Sequence, residues 1–242
     1  MTFPLPRAAL QDLLDGIDGG EVLDVGTGAG GFIAALAAGL RSHTGFTGVD
    51  TNPAALADAR RQHPGVRFEQ ADAARLPFPD RVFDAVALSN SLHHLPDLPA
   101  VFRELRRVAR PGATLIIREM YRDHQPAARL THVLAHDWWA EVNISLGEYH
   151  RPGYTRQELL DIIDGLGLTR TRTAELATED GDPFDPDGLA QFALRNRRML
   201  EKTRDKPGFA AHEARCAQLI ARARAVGVLP SATLAAIGRL PA

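Results

Sequence analysis

The run Val22-Leu23-Asp24-Val25-Gly26-Thr27-Gly28-Ala29-Gly30-Gly31 carries a short apolar strand into a glycine-rich turn and on into a helix. Glycine permits the sharp turn, and its missing side chain lets the backbone approach a ligand closely. The helix start beyond it offers N–H groups that no intrahelical partner uses. Gly26, Gly28 and Gly31 fit the G-x-G-x-x-G spacing of dinucleotide sites. Asp50 ends the next apolar run, at about the ~20-residue spacing of a ribose-binding acid. A carboxylate there can accept both hydroxyls of a ribose diol; the plain alternative is a cap on the helix that starts near Pro53. The turn alone does not separate a dinucleotide from another ribose-bearing cofactor. No lysine follows it, so a triphosphate P-loop is excluded.

A second concentration of chemistry lies in EMYRDHQPAARLTHVLAHDWWAEVNISLGEYHRPGYT, residues 119–155. On a helix of ~3.6 residues per turn, His132, His136, Trp139 and Asn143 share one stripe, with Leu130, Leu134, Asp137 and Glu141 nearly opposite. Tryptophan supplies apolar area, and histidine can take a proton near neutral pH. The stripe is therefore an expected wall for a small molecule, with His136 or His132 handling its proton. The plain reading packs the tryptophans on the core and leaves one face solvated. The i, i+4 histidines also have the spacing of a metal-ligand pair, but no third ligand is fixed by spacing and no metal is assigned.

The elements that position these groups alternate. Candidate strands are Glu21–Val25, Thr44–Asp50, Val66–Ala71, Phe83–Ser89 and Ala113–Met120. Candidate helices lie between them at Gly31–Leu40, Pro53–Gln62 and Leu98–Ala109, which signals a parallel sheet covered by helices. Arg110-Pro111-Gly112 reads as the turn before the fifth strand. Residues 126–146 read as one helix. Thr155 with Glu158 forms a capping box for the next, and 168–176 follows as a sixth strand. Residues 185–227 are helical by period, broken at Lys206-Pro207-Gly208, and 231–240 reads as a final strand. That order predicts a single domain over 1–242, with a cap insertion at 121–153 and a helical insertion at 182–229, between strands six and seven. Ser89 and Asn90 end the fourth strand, where ligands of such sheets bind. Their alternative role is to cap the next turn.

Five segments in order break the tie at the glycine turn: VLDVGTGAGGF, GVDTNP, QADAARLPFPD, FDAVALSNSLHHLPD and LRRVARPGATLIIRE. Together, from Glu21 to Glu119, they resemble the motifs of class I S-adenosylmethionine-dependent methyltransferases, in particular the group often called type 11. The resemblance implies an α/β, Rossmann-like seven-stranded sheet of order 3-2-1-4-5-7-6 with its last strand antiparallel. It implies S-adenosylmethionine as cofactor, held by Asp24, Gly26, Gly28, Gly30, Asp50, Thr51, Asp72, Ala73, Ser89 and Asn90. Asp50 would take the ribose, Asp72 the adenine amino group and the Ala73 N–H a ring nitrogen. It also implies in-line methyl transfer to a small-molecule acceptor, leaving S-adenosylhomocysteine, with the acceptor atom (O, N, S or C) open. His93, Tyr121, Trp139 and Asn143 would border the acceptor. Histidine pairs before L-P-D serve many substrates in that family, which implies packing for His94, with His93 less determined. A nicotinamide-dependent oxidoreductase would explain Gly26 to Asp50, but it leaves Asp72 and the fifth-strand motif unexplained. It would also want a Tyr-x-x-x-Lys pair, whereas Lys202 and Lys206 are the only lysines. A non-catalytic S-adenosylmethionine-binding protein is the other rival.

Composition agrees with these readings. The net charge of −2 over 242 residues gives no general attraction to nucleic acid, so none is expected as partner. Cys216 is the only cysteine, which excludes an intrachain disulfide. The first residues hold no apolar run of signal or membrane length, so the expectation is a cytoplasmic chain with no membrane partner. Amphipathic helices in 185–227 need something to bury their apolar stripe, and a homodimer is one expected way.

Overall fold

The computed structural model describes residues 10–176 and 181–241. Their contacts divide them into two units: one of residues 10–119, 159–176 and 233–241, the other of residues 120–158 and 181–232.

The first unit is the sheet. Its strands are β1 (Glu21–Val25), β2 (Gly45–Asp50), β3 (Arg67–Gln70), β4 (Phe83–Ser89), β5 (Ala109–Met120), β6 (Thr169–Leu176) and β7 (Thr233–Arg239). They lie in the order β3-β2-β1-β4-β5-β7-β6, the order expected. β1 pairs in parallel with β2 and β4, β2 with β3, and β4 with β5, whereas β6 and β7 are antiparallel. Strands buried on both faces need continuous apolar runs, and Ala85–Leu88 and Leu115–Ile117 supply them with exposures near zero. The helices of this unit are α1 (Leu10–Leu14), α2 (Gly31–Gly39), α3 (Pro53–Gln62), α4 (Leu98–Val108) and α6 (Arg156–Gly165), which starts in the second unit. Val101, Phe102, Leu105 and Val108 form the buried face of α4. Asn52 caps α3 by accepting from the Ala54 and Ala55 N–H groups, and Asp97 caps α4 through Ala100. Short polar side chains at these positions satisfy N–H groups that the helix leaves over.

One boundary differs from expectation. Arg110-Pro111-Gly112 is not a turn ahead of β5 but part of it. Ala109 already pairs with Phe83, and a register shift follows before Ala85 pairs with Thr114. Gly112 at φ 72° absorbs the irregularity.

The second unit consists of α5 (Ala127–Ser145), α7 (Pro186–Glu201) and α8 (Phe209–Val226), with their connections. In chain order α7 and α8 fall between β6 and β7. The two segments read as separate insertions thus form one compact body. Ala135, Trp138, Trp139 and Val142 of α5 pack with Phe192 of α7 and with Cys216, Leu219 and Ala223 of α8. The capping box ahead of α6 is present: Glu158 N–H donates to Thr155 Oγ1 at 3.1 Å, and Thr155 N–H donates to a Glu158 carboxylate oxygen at 2.6 Å.

Candidate functional site

In the sheet unit the glycine turn is fastened to the end of β2. Gly26 and Thr27 donate their N–H groups to the Val49 carbonyl at 2.9 and 3.0 Å, and Gly28 N–H donates to Asp50 Oδ2 at 2.9 Å. Gly26, Gly28 and Gly30 all have positive φ, of 71°, 54° and 86°, conformations that favour glycine. A Cβ at Gly26 would come within 2.6 Å of Ser91 Cβ, while one at Gly28 would meet nothing within 4 Å. The first glycine therefore serves the protein's own packing and the second leaves open space beside the turn. Ser91 is buried and donates to the Val25 carbonyl at 3.3 Å. The sequence reading named its neighbours Ser89 and Asn90 and missed Ser91. Its only signal would have been a small residue opposite an obligatory glycine.

Two carboxylates flank the turn. Asp50 is half-buried, and besides Gly28 it accepts from Asn52 N–H at 2.9 Å. Each oxygen keeps a further lone pair for a diol. Asp24 is 1% exposed, and neither oxygen has a hydrogen-bond partner among the described residues. Burial pushes its carboxyl up to about 7; the nearby Thr27 hydroxyl opposes this and the Asp50 charge adds to it. An orphaned buried carboxyl beside an open glycine turn suits a cationic group and disfavours a pyrophosphate.

Asp72 lies in the loop after β3. It is exposed, with Oδ1 accepting from Ala74 N–H at 2.9 Å, and the adjoining Ala73 is buried. Ala71 N–H donates to the Asp50 carbonyl at 3.1 Å, which ties this loop to the end of β2. Gln70 Nε2 likewise reaches the Thr51 carbonyl at 3.0 Å. Beyond β4, Ser89 is half-buried and Asn90 is exposed at φ 48°, its N–H on the Arg118 carbonyl at 2.8 Å. The predicted cofactor residues thus sit at the carboxyl ends of β1, β2 and β4 and on the turns after β1 to β4, the edge where open α/β sheets bind ligands. They fit a nucleoside with a cationic end.

His93 and His94 occupy the 3₁₀ turn Leu92–His94, and the packing role expected of His94 does not match its exposure. His94 is exposed, whereas His93 is 3% exposed and bonds through Nδ1 to Glu119 Oε1 at 2.8 Å. The other Glu119 oxygen accepts Leu92 N–H at 2.8 Å. Position sets the difference: His93 turns toward the buried end of β5, which carries a fully buried glutamate. The charged residues Arg118 and Glu119 inside that otherwise apolar run were the available signal for the pair.

In the helical unit the stripe on α5 splits into two environments. His132 is half-buried, its ring edge-on to Trp139 at 5.7 Å, and Ser231 N–H donates to its Nδ1 at 3.5 Å. Burial, with the Arg195 charge, pushes His132 down to about 4, so it is a weak base. His136 is 5% exposed, with its Nε2 3.3 Å from His150 Nε2. His150 Nδ1 lies 2.8 Å from Asn143 Nδ2. The Asn143 amide donating there leaves the His150 hydrogen on Nε2, directed at His136. Trp139 donates its indole N–H to Asn196 Oδ1 at 3.1 Å, and Tyr121 is buried, its backbone N–H on the Ala232 carbonyl. His150 lies beyond the end of α5 and Asn196 on α7, and helical periodicity could not bring them in.

Residues 23–117 match the family model described as a methyltransferase domain. A second model, the RecC C-terminal domain, matches residues 165–238, a span that supplies β6 and β7 to the sheet. The 2-phytyl-1,4-naphtoquinone methyltransferase of Synechococcus elongatus is 36% identical over 127 residues, 50% of this chain and 54% of that protein. The fatty-acid O-methyltransferase of Mycolicibacterium smegmatis is 40% identical over 112 residues, 46% of this chain and 39% of its own. The chain thus spans about half or less of the length of these curated relatives. Among solved structures, YjhP of Escherichia coli is similar in fold, with a TM-score of 0.58 at 20% identity, covering 96% of this chain and 90% of that one. The motifs from Glu21 to Glu119 and the match over residues 23–117 show that this segment is similar to a methyltransferase domain, and the strand order is the one that resemblance implies.

Proposed function

We propose that the protein transfers a methyl group from S-adenosylmethionine to a small-molecule acceptor. The observation that carries this reading is the buried Asp24 carboxyl, without a hydrogen-bond partner among the described residues, beside the open turn at Gly28 and the ribose-competent Asp50. A dinucleotide would bring a pyrophosphate to two carboxylates, whereas a cationic amino acid end would relieve the orphaned one. When bound, the cofactor supplies an electrophilic methyl on a sulfonium. In this proposal Asp50 holds the diol, Asp72 and the Ala73 N–H hold the base, and the glycine turn, Thr51, Ser89 and Asn90 complete the pocket. The curated relatives are named for quinone and fatty-acid substrates, which supports a small apolar acceptor here. A homodimer and a cytoplasmic setting belong to the same proposal. Among the described residues, no helix is long and apolar enough to cross a membrane.

The acceptor's proton falls to His136, a buried ring that lies against His150, which Asn143 in turn holds. A second reading gives it to His93, because a buried carboxylate fixes that ring by its Nδ1 and leaves Nε2 as the basic nitrogen. Titration calorimetry with S-adenosylmethionine, S-adenosylhomocysteine and NAD is the test. Binding of the first two and not of the third supports the proposal; tight NAD binding with neither of the others refutes it.

A further inference from the structure

The helical unit contains a cavity that the preceding function does not use. Its volume is about 540 Å³, within the roughly 300–1,000 Å³ of small-molecule sites. Trp139, Phe192 and Leu229 give it apolar walls, and His132, Arg195 and Arg198 give it polar ones. No acidic residue among the described ones lines it. Neither arginine has a carboxylate partner among the described residues.

The walls are held in place. The Trp139 indole N–H is fixed by Asn196, whose own amide donates to the Phe192 carbonyl at 2.8 Å. The Arg195 guanidinium carbon lies 3.9 Å from the centre of the Trp139 ring. Stacking in this way keeps a planar cation in position while its N–H donors stay available at the edge. With Ser231 N–H on Nδ1, the neutral His132 ring carries its hydrogen on Nε2 and adds a donor. The cavity thus combines an aromatic floor with donors and positive charge, with no balancing anion among the described residues.

We propose that this cavity binds a small amphipathic anion, its apolar body against Trp139 and Phe192 and its carboxylate or sulfonate on Arg195 and Arg198. A planar anionic group matches the guanidinium fork. A cationic ligand would meet two like charges, and a neutral one would leave the donors unused. The inference does not depend on methyl transfer, because binding is read without cofactor.

Three probes of one shape test it on the full chain: naphthalene-2-sulfonate, 2-naphthalenemethanol and 2-naphthylmethylammonium. Calorimetry should give one site for the sulfonate, at least tenfold tighter than the alcohol, with the ammonium weaker still. The Arg195→Gln/Arg198→Gln double variant should lose at least tenfold for the sulfonate and nothing for the alcohol, with an unchanged unfolding temperature. Should that variant fail to fold, Arg198→Gln alone and a salt titration read the same charge dependence. Absence of sulfonate binding, equal affinity for the three probes, or full sulfonate affinity in a folded double variant would overturn the proposal.

Discussion

The two units build their polar sites by opposite means. In the sheet unit the groups are backbone amides and carboxylates at strand ends and on short turns, and Asp50 is held by two N–H groups within three residues of a strand end. In the helical unit they are ring side chains on α5, tied to partners far along the chain, such as Trp139 to Asn196. A site made of turns depends on local dihedral angles, so its specificity is fixed by a few residues and can be shared across many chains. A site made of helix faces depends on packing, so it can change its ligand without changing the fold.

This contrast can be broken most sharply at α5. His136→Ala is expected to lower turnover by about 10²–10⁴-fold, the usual cost of losing a general base, while cofactor affinity stays within twofold of about unity relative to wild type. If Glu119→Gln and His93→Ala produce that fall and His136→Ala does not, single-turnover kinetics will have moved proton handling into the sheet unit.

Asp24 gives the next largest effect. Its carboxyl is raised to about 7 from 3.8, so between these values the folded chain keeps a proton that the unfolded chain releases. Its contribution to stability is therefore highest below about pH 4 and is lost as pH rises to about 7. At about 1.4 kcal/mol per pH unit, the loss comes to about 4 kcal/mol. The cofactor-free Asp24→Asn variant should lack this slope in denaturant titrations from acid to neutral pH. Parallel curves for variant and wild type would show that the carboxyl titrates normally.

Asp50→Ala should weaken S-adenosylhomocysteine binding by ~1.5–3 kcal/mol through loss of charge-assisted bonds, readable by calorimetry. Unaltered affinity would leave Asp50 as a fastener of the glycine turn only. The smallest effect is at Asn196. Asn196→Ala strands the buried Trp139 indole N–H and should cost about 1–3 kcal/mol of stability, with cofactor affinity untouched. A change in affinity there would join the two units energetically.

The sheet unit was legible because its signals are local. A glycine turn, a cap such as Asn52 before Pro53, and alternating apolar runs each act within a few residues, and the strand order followed from the family resemblance. Even there, contacts across the sheet escaped: Ser91 against Gly26, and Glu119 under His93. Those depend on which strand ends become neighbours. On α5 the period correctly grouped His132, His136, Trp139 and Asn143, all of them at least half-buried. It could not show that Ser231 and Arg195 attend one histidine while His150 attends the other. The histidines on one stripe consequently sit in different environments for reasons that lie outside their helix.

The pairing of Leu176 with Thr233 in the β6–β7 ladder has a kinetic consequence. Residues 177–232 leave and re-enter the sheet at adjoining points, so this ladder closes a long excursion. An unstructured loop of that length costs about 3–4 kcal/mol to close, growing with the logarithm of its length. If α7 and α8 have already paired, the free chain is much shorter and closure is correspondingly faster. The last two strands should then assemble late, at a rate set by a helical hairpin that is no part of their sheet. A helix-weakening change on the exposed face of α8, such as Ala221→Gly, should slow protection of the β7 amides in pulsed hydrogen exchange and leave that of β1 and β4 unaltered.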